Sequence, residues 1–407
     1  MNQGRICHVL ALGGLAALIA ASCGDPGPRP EPEAEATPEA EPEGGISTTR
    51  RALLANVGER VILDTLVRFE AAAQALEAAA GAWSASQQEA DRAAAQEAWR
   101  AAMALWQQAE VFQVGPAGVM GAVIGGRDLR DEIYSWPLVN NCRVDQEIVE
   151  GNFANQAAFA AEPINVRGLD ALEVLLFESG DENACAPNSA INRDGAWDAI
   201  APELQQRRAD YAHTLAALVS ARAAELRAAW DPAEGNFLAE LAGPGPLYGS
   251  TREALNALTD ALFYVEKETK DMKLAIPAGL IDCDTDTCPE ALESKFAGQS
   301  KEHIINNLKA FQRAFLGSDP GGEGVGFDDL LIEVGAGALE ASMRADLEAA
   351  IAAVEAIEGD LVEALERDPQ SVRAAFEAVQ KFTVQFKTQF LSVLDLEIPD
   401  RAEGDND

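Results

Sequence analysis

Apolar residues recur every three or four positions along most of the chain, which is the spacing of amphipathic α-helices. Ile304, Leu308, Phe311 and Phe315, for example, form one apolar stripe on a helix that should face a core. Residues 115–163 lack this periodicity, and a long irregular insert in a helical protein is often a functional loop. The chain is therefore predicted to be all-α. The long periodic segments are 49–84, 87–114, 197–230, 251–272, 301–316, 339–366 and 370–394.

Long helices joined by short glycine- and proline-containing breaks are typical of up-and-down, four-helix-bundle-like domains. The clearest break is the Gly-Pro-Gly-Pro run at 243–246. We therefore predict an N-terminal helical bundle at 49–243 and a C-terminal helical bundle at 244–398, followed by an acidic tail at 399–407.

The first residues have the composition of an export signal. An apolar run at 9–21 follows a basic residue and is too short for a membrane-spanning helix, so residues 1–22 are predicted to be a signal peptide. Small residues lead into Cys23, as in the lipobox of bacterial lipoproteins. We expect Cys23 to be lipidated and residues 23–48 to form a Pro/Glu/Ala tether without a core. The alternative is ordinary cleavage near Ala21. The lipidated form predicts an envelope protein at the periplasmic face of the outer membrane or at the cell surface.

The formal net charge of the 407 residues is −36. Nucleic-acid binding requires a basic surface, so the composition argues against a nucleic-acid partner. The acidity by itself does not identify a site.

Four cysteines remain in the body of the chain after Cys23, and an even number in an exported protein predicts disulfides. Cys283 and Cys288 flank a short loop and are expected to pair locally. Cys142 and Cys185 would then pair with each other. The spacing does not match a zinc site, and the few histidines also make zinc an improbable metal.

Carboxylates occur where apolar residues are expected. Asp170 and Glu173 are three residues apart in an otherwise apolar segment, so they share one face of a helix. Glu110 lies on the same helical stripe as Trp99 and Trp106. If the two helices face each other, the three carboxylates form a buried cluster that needs a cation or a shared proton.

Two kinds of partner could neutralise this carboxylate cluster. A hard cation such as iron, calcium or magnesium suits a site made only of oxygen ligands. Alternatively, Arg167, Arg207 or Arg208 neutralises the acids in structural ion pairs. In the metal interpretation Glu110, Asp170 and Glu173 are ligands. The residues predicted to line the ligand cleft are Tyr134, Trp136 and Arg207.

The segment Gly168-Leu169-Asp170-Ala171-Leu172-Glu173, followed by an apolar run, resembles the Gly-x-His-x-x-Glu signature of the imelysin family, also called M75 peptidases. Trp136-Pro137 and Glu293-Ser294-Lys295-Phe296 fit the same family pattern. The resemblance implies a bilobed, all-helical fold with the signature near a cleft, and a link to bacterial iron uptake. Asp170 stands where the signature has histidine.

These observations lead to one main hypothesis and two alternatives. The main hypothesis is a lipid-anchored envelope protein that binds a metal ion or a small metal-bearing polar ligand, related to iron. The first alternative is a metal-free module that binds a protein or a polysaccharide. The second is an M75-type metallopeptidase, which the missing signature histidine disfavours, so a non-enzymatic role is expected. With so few histidines, neither a Ser-His-Asp nor a Cys-His catalytic arrangement is expected.

Overall fold

The computed structural model describes residues 45–178, 180–243 and 245–399, and the regular structure in this part of the chain is helical. The predicted signal peptide, Cys23, most of the tether and residues 400–407 of the tail lie outside the described residues. The α-helices are α1 (Gly45–Asn56), α2 (Asp64–Ser86), α3 (Glu89–Glu110), α4 (Leu129–Ile133), α5 (Asn141–Glu150), α6 (Gln156–Phe159), α7 (Gly168–Phe177), α8 (Ala190–Arg193), α9 (Ala196–Ile200), α10 (Leu204–Trp230), α11 (Phe237–Ala242), α12 (Thr251–Leu262), α13 (Ser300–Leu316), α14 (Phe327–Glu333), α15 (Gly337–Glu355), α16 (Leu361–Arg367), α17 (Pro369–Gln385) and α18 (Leu391–Leu394).

Shorter helical segments of other types connect these helices. The π-helical segments are Val57–Leu63, Val265–Ala275 and Phe386–Phe390, and the 3₁₀ turns are Gly115–Ala117, Asn152–Ala154, Ile164–Val166, Ala201–Glu203 and Pro289–Ala291. Since no β-strand is found among the described residues, the all-α prediction is confirmed. Within the same residues, no helix combines the length and the apolar character that crossing a bilayer would require.

Helices α2, α3 and α10 form the bundle that positions the site. Helix α2 packs along both α3 and α10, and α7 packs against α10 and α3. The stripe on α3 that includes Trp99, Met103 and Trp106 is fully or almost fully buried, as its periodicity predicted. The Trp99 indole Nε1–H also donates to the Leu169 carbonyl oxygen at 2.8 Å, which ties α3 to the start of α7.

Some predicted helices are interrupted in the structure. The predicted segment 197–230 is divided into α9 and α10, because Pro202 lacks the amide hydrogen that a continuous helix would use there. The segment 339–366 is divided into α15 and α16 at a turn where Gly359 has a φ of +74°. Helix α1 begins at Gly45, inside the predicted tether. The shorter helices that were not predicted are α4, α5, α6, α8, α11 and α14.

The two predicted bundles are in contact. Helix α13, from the predicted C-terminal half, packs against α3 from the N-terminal half as well as against α15. The described residues all fall in one compact unit. The domain boundary at 243/244 therefore stays a prediction.

Both predicted disulfides are present, so the cysteine pairing is confirmed. Cys142 in the first turn of α5 bonds Cys185, and Cys283 bonds Cys288 across the short loop. The two cysteines of the first bond are 43 residues apart in sequence, and α7 lies between them. The bond therefore closes a stretch of chain that contains α7.

Candidate functional site: a carboxyl-lined cavity beside α7

A cavity of about 580 Å³ lies beside α7, where this helix meets the segment 289–297. This volume is in the range of small-molecule binding sites. Trp136 and Pro137 line it and also line a smaller cavity of about 160 Å³. The other residues that line the larger cavity are Val139, Asn140, Asn141, Cys142, Asp170, Glu173, Val174, Ala184, Glu290, Ala291, Leu292, Ser294, Lys295 and Phe296.

The start of α7 places the two carboxyl groups in the cavity wall. Gly168 has a φ of +91°, and a Cβ atom at this position would lie 2.9 Å from the Ile133 carbonyl oxygen, so glycine is required there. Asp170 and Glu173 follow at the three-residue spacing that puts them on one face. Both are almost completely buried, as the sequence predicted.

Asp170 is held by two hydrogen bonds. The Ser135 hydroxyl donates to Oδ2 at 2.8 Å, and the Ala171 amide donates to Oδ1 at 3.0 Å. Burial outweighs these bonds and raises the pKa of the Asp170 carboxyl to about 7. The group is therefore partly protonated near neutral pH.

Glu173 binds the loop that precedes α13. The backbone amides of Phe296 and Ala297 donate to its Oε1 at 2.9 and 3.0 Å. Among the described residues, no hydrogen bond reaches its Oε2. Burial is the main cause that raises the pKa of Glu173 to about 8, and the nearby carboxylates of Glu293 and Asp170 also raise it.

Glu110 does not join the other two acids in the cavity wall. Its Oε1 accepts from Arg130 Nη2 at 2.6 Å and from Nε at 3.0 Å, and its Oε2 lies 3.9 Å from Lys273 Nζ. Within the described ranges, no group of three or more His, Cys, Asp or Glu residues is positioned to hold a metal ion. The three-residue metal set of Glu110, Asp170 and Glu173 stays a prediction, and only its last two members line the cavity.

A buried polar cluster around Lys273 lies next to the cavity. Its Nζ is 3.0 Å from Glu293 Oε2 and donates to Gln107 Oε1 at 2.7 Å. The same ammonium lies 5.4 Å from the centre of the Trp136 ring, within cation–π range. The Tyr134 hydroxyl, which was expected in the cleft, is fully buried and donates to Glu293 Oε1 at 2.7 Å.

The arginines that were considered as partners of the acids bind other groups. Three arginines, Arg167, Arg207 and Arg208, were considered. Among the described residues, none of them contacts Glu110, Asp170 or Glu173, and Arg207 does not line the cavity. That alternative pairing is therefore wrong, because Arg130 is the arginine that binds Glu110. Arg167 pairs with Glu132 at 2.9 Å, Arg207 pairs with Glu203 at 3.1 Å, and Arg208 donates to the Gly180 carbonyl at 2.7 Å.

A serine and a histidine are adjacent at the cavity wall. Ser294 lines the cavity with a φ of +50°, and its Oγ lies 2.9 Å from Nε2 of the buried His303. Burial lowers the pKa of His303 well below its usual value, so the imidazole is neutral. Its Nδ1 has no hydrogen-bond partner among the described residues, so the third group of a catalytic triad is missing.

Sequence reasoning missed Arg130, Lys273 and His303 as neighbours of the site. Arg130 and Lys273 lie in segments with no recognisable motif, and the closeness of either to Glu110 depends on tertiary packing. Glu293 was identified only as part of a family-like motif, without a role. A charged residue in a buried segment would have pointed to these neighbours, but the sequence does not show which of these segments are buried.

The sequence and the fold belong to a known protein family. The imelysin family model, Peptidase_M75, matches residues 62–389. Because this match covers most of the chain, the protein belongs to the imelysin family. The resemblance inferred from the signature segment is therefore confirmed.

Two solved structures have the same fold. One is described as an iron-regulated protein A precursor from Parabacteroides distasonis: it is 19% identical, the alignment covers 88% of this chain and 96% of that chain, and the TM-score is 0.67. The other is an imelysin-like protein from Psychrobacter arcticum: it is 16% identical, with coverage of 87% and 98% and a TM-score of 0.67. A comparison with curated proteins finds no match.

Proposed function

We propose that this protein is a lipid-anchored member of the imelysin family that binds a small metal-bearing polar ligand in the cavity beside α7. The observation that carries the proposal is the pair of buried carboxyl groups, Asp170 and Glu173, in the wall of a ligand-sized cavity. Burying two carboxyl groups on one helix face is costly, and a cation would offset that cost.

The small number of carboxylate oxygens in the cavity wall favours a cation that enters with other ligands already bound to it. Hard cations such as calcium take six to eight oxygen ligands, and magnesium takes six. Asp170 and Glu173 are the buried carboxyl groups that line the cavity and provide at most four oxygens, whereas Glu290 is exposed and Glu110 is bound to Arg130. The remaining positions would be filled by water or by the rest of the ligand, for which the cavity has room.

The identity of the cation and the membrane anchor are further parts of the proposal. Iron is proposed because the ligand set consists of oxygens and because one similar structure is described as iron-regulated. Anchoring in the bacterial envelope is proposed from the lipobox-like sequence that ends at Cys23.

Binding measurements on the purified protein test the proposal. Fe²⁺, Ca²⁺ and ferric citrate would each be titrated by calorimetry, and bound metal would be measured after gel filtration. We expect at least one of these probes to bind stoichiometrically, and Asp170→Asn and Glu173→Gln to weaken that binding by about tenfold or more, which corresponds to about 1.4 kcal/mol.

The control is Glu147→Gln, which alters a buried carboxyl group on α5 that does not line the cavity. This variant should bind like the wild type. If none of the probes binds, or if folded Asp170 and Glu173 variants bind as well as the control does, the proposed function is wrong.

A further inference from the structure

Glu173 occupies a pair of backbone donors in the cavity wall. The amides of Phe296 and Ala297, which are consecutive in the chain, both donate to one oxygen of its carboxyl group. Consecutive amides that converge on one point form a concave site that favours an anionic oxygen. Here the protein's own carboxyl group fills this amide pair.

The surroundings of the amide pair are accessible to a ligand. Glu173 and Phe296 both line the cavity, and so does Lys295, whose ammonium is the only positively charged side chain among the residues that line it in the described structure. Asn140 and Asn141 line the same wall. A carboxylate that entered the cavity would therefore meet hydrogen-bond donors and one positive charge in the same cavity as Glu173.

We propose that the amide pair of Phe296 and Ala297 is a binding site for a carboxylate group of the ligand, and that Glu173 occupies the pair in the free protein. This inference rests on the proposed function and narrows the ligand to the class of metal carboxylates. When such a ligand enters, its carboxylate takes the two amides, and the released carboxyl group of Glu173 binds the cation that the ligand carries.

The exchange accounts for two features of the site together. The cavity has only two buried carboxyl groups, too few to enclose a bare cation, and one of them is already bonded to backbone donors. A ligand that supplies both an anion and a cation satisfies the amides and Glu173 at once. A bare cation would leave the amide pair without an acceptor, and a bare carboxylate would leave Glu173 without a partner.

Three substitutions at one position test the exchange, with citrate free of metal as the probe and calorimetry of the full chain as the assay. Glu173→Ala empties the amide pair, and we expect it to bind citrate about tenfold more tightly than the wild type or better, since hydrogen bonds to a charged acceptor are strong. Glu173→Gln also removes the ionisable carboxyl group but keeps an oxygen that accepts from both amides, so its affinity for citrate should rise much less. Glu173→Asp keeps a carboxyl group but shortens the side chain, and it should bind citrate more tightly than the wild type.

The outcomes separate this inference from the proposed function. If Glu173→Gln gains as much affinity as Glu173→Ala, the gain comes from losing the ionisable carboxyl group and not from freeing the amides, and the inference is wrong. It is also wrong if folded Glu173→Ala binds citrate no better than the wild type. If Glu173→Ala does not fold, the comparison of Glu173→Asp with the wild type decides in the same way. A gain for Glu173→Ala in a protein whose wild type binds no metal would support the carboxylate site while overturning the proposed metal binding.

Discussion

Removing Arg130 should destabilise the protein strongly, because its guanidinium is the main partner of a fully buried carboxylate. In Arg130→Met the apolar stem is largely kept, but Glu110 loses both bonds to its Oε1, at 2.6 and 3.0 Å. The side chain of Glu110 has no solvent-exposed surface, so water cannot replace the lost donors. The Trp136 carbonyl oxygen in the site wall also loses a donor at 2.8 Å.

The expected loss follows from breaking a buried ion pair on one side. Such a change costs about 3–5 kcal/mol, because it leaves an uncompensated charge in the interior. Lys273 compensates little, since its ammonium is 3.9 Å from Glu110 and is already 3.0 Å from Glu293. We therefore expect the free energy of unfolding to fall by about 3–5 kcal/mol.

Urea unfolding at neutral pH, followed by circular dichroism, measures this loss. The control is Arg207→Met, whose ion-pair partner Glu203 is mostly exposed, so the loss should be about 1 kcal/mol or less. Adding Glu110→Gln to Arg130→Met should recover part of the stability, because it removes the unpaired charge. A loss below about 1 kcal/mol for Arg130→Met, or additive losses in the double variant, would refute the reasoning.

Two further predictions concern pH and the first disulfide. The folded-state pKa values of Asp170 and Glu173, about 7 and about 8, lie above their ordinary values of 3.8 and 4.5, so the folded protein binds more protons than the unfolded chain between these limits. The free energy of unfolding, measured by urea unfolding, should therefore fall as pH rises from about 5 to about 8. In the Asp170→Asn, Glu173→Gln double variant this fall should be weaker. An equal fall in both proteins would contradict the prediction. Replacing both Cys142 and Cys185 by serine opens a loop of 43 residues and should cost about 2–4 kcal/mol, measured as a lower melting temperature, whereas an unchanged melting temperature would show that packing alone holds α5 in place.

Most of the helical architecture could be predicted from periodicity, and the errors have local causes. The segment 197–230 was predicted as one helix because its apolar spacing continues on both sides of Pro202, whereas the missing amide hydrogen ends α9 before it. Helix α5 was missed because it is short, and much of its burial comes from neighbours distant in sequence. The disulfides were predictable because the local pairing of Cys283 with Cys288 left one partner for each remaining cysteine.

The carboxylate site was predictable in part. Asp170 and Glu173 were identified because two acids in an apolar helix cannot both face water, and burial of that helix follows from its composition. Glu110 was assigned to the same cluster because its stripe points to the core, but a stripe does not specify the depth or direction of the group at its end. The structure pairs Glu110 with Arg130, which lies in the irregular insert where no periodic pattern gives its position.

The sequence alone determined the all-α class, the family, the disulfide pairs and the burial of the acids on α7. These properties depend on local spacing and composition, which a linear pattern records. Tertiary structure alone decided which partner each buried charge meets: Arg130 for Glu110, the amides of Phe296 and Ala297 for Glu173, and Ser135 for Asp170. The physical reason is that hydrogen bonds and ion pairs act over a few ångströms between groups that are distant along the chain, so packing has to bring them together before the chemistry of the site exists.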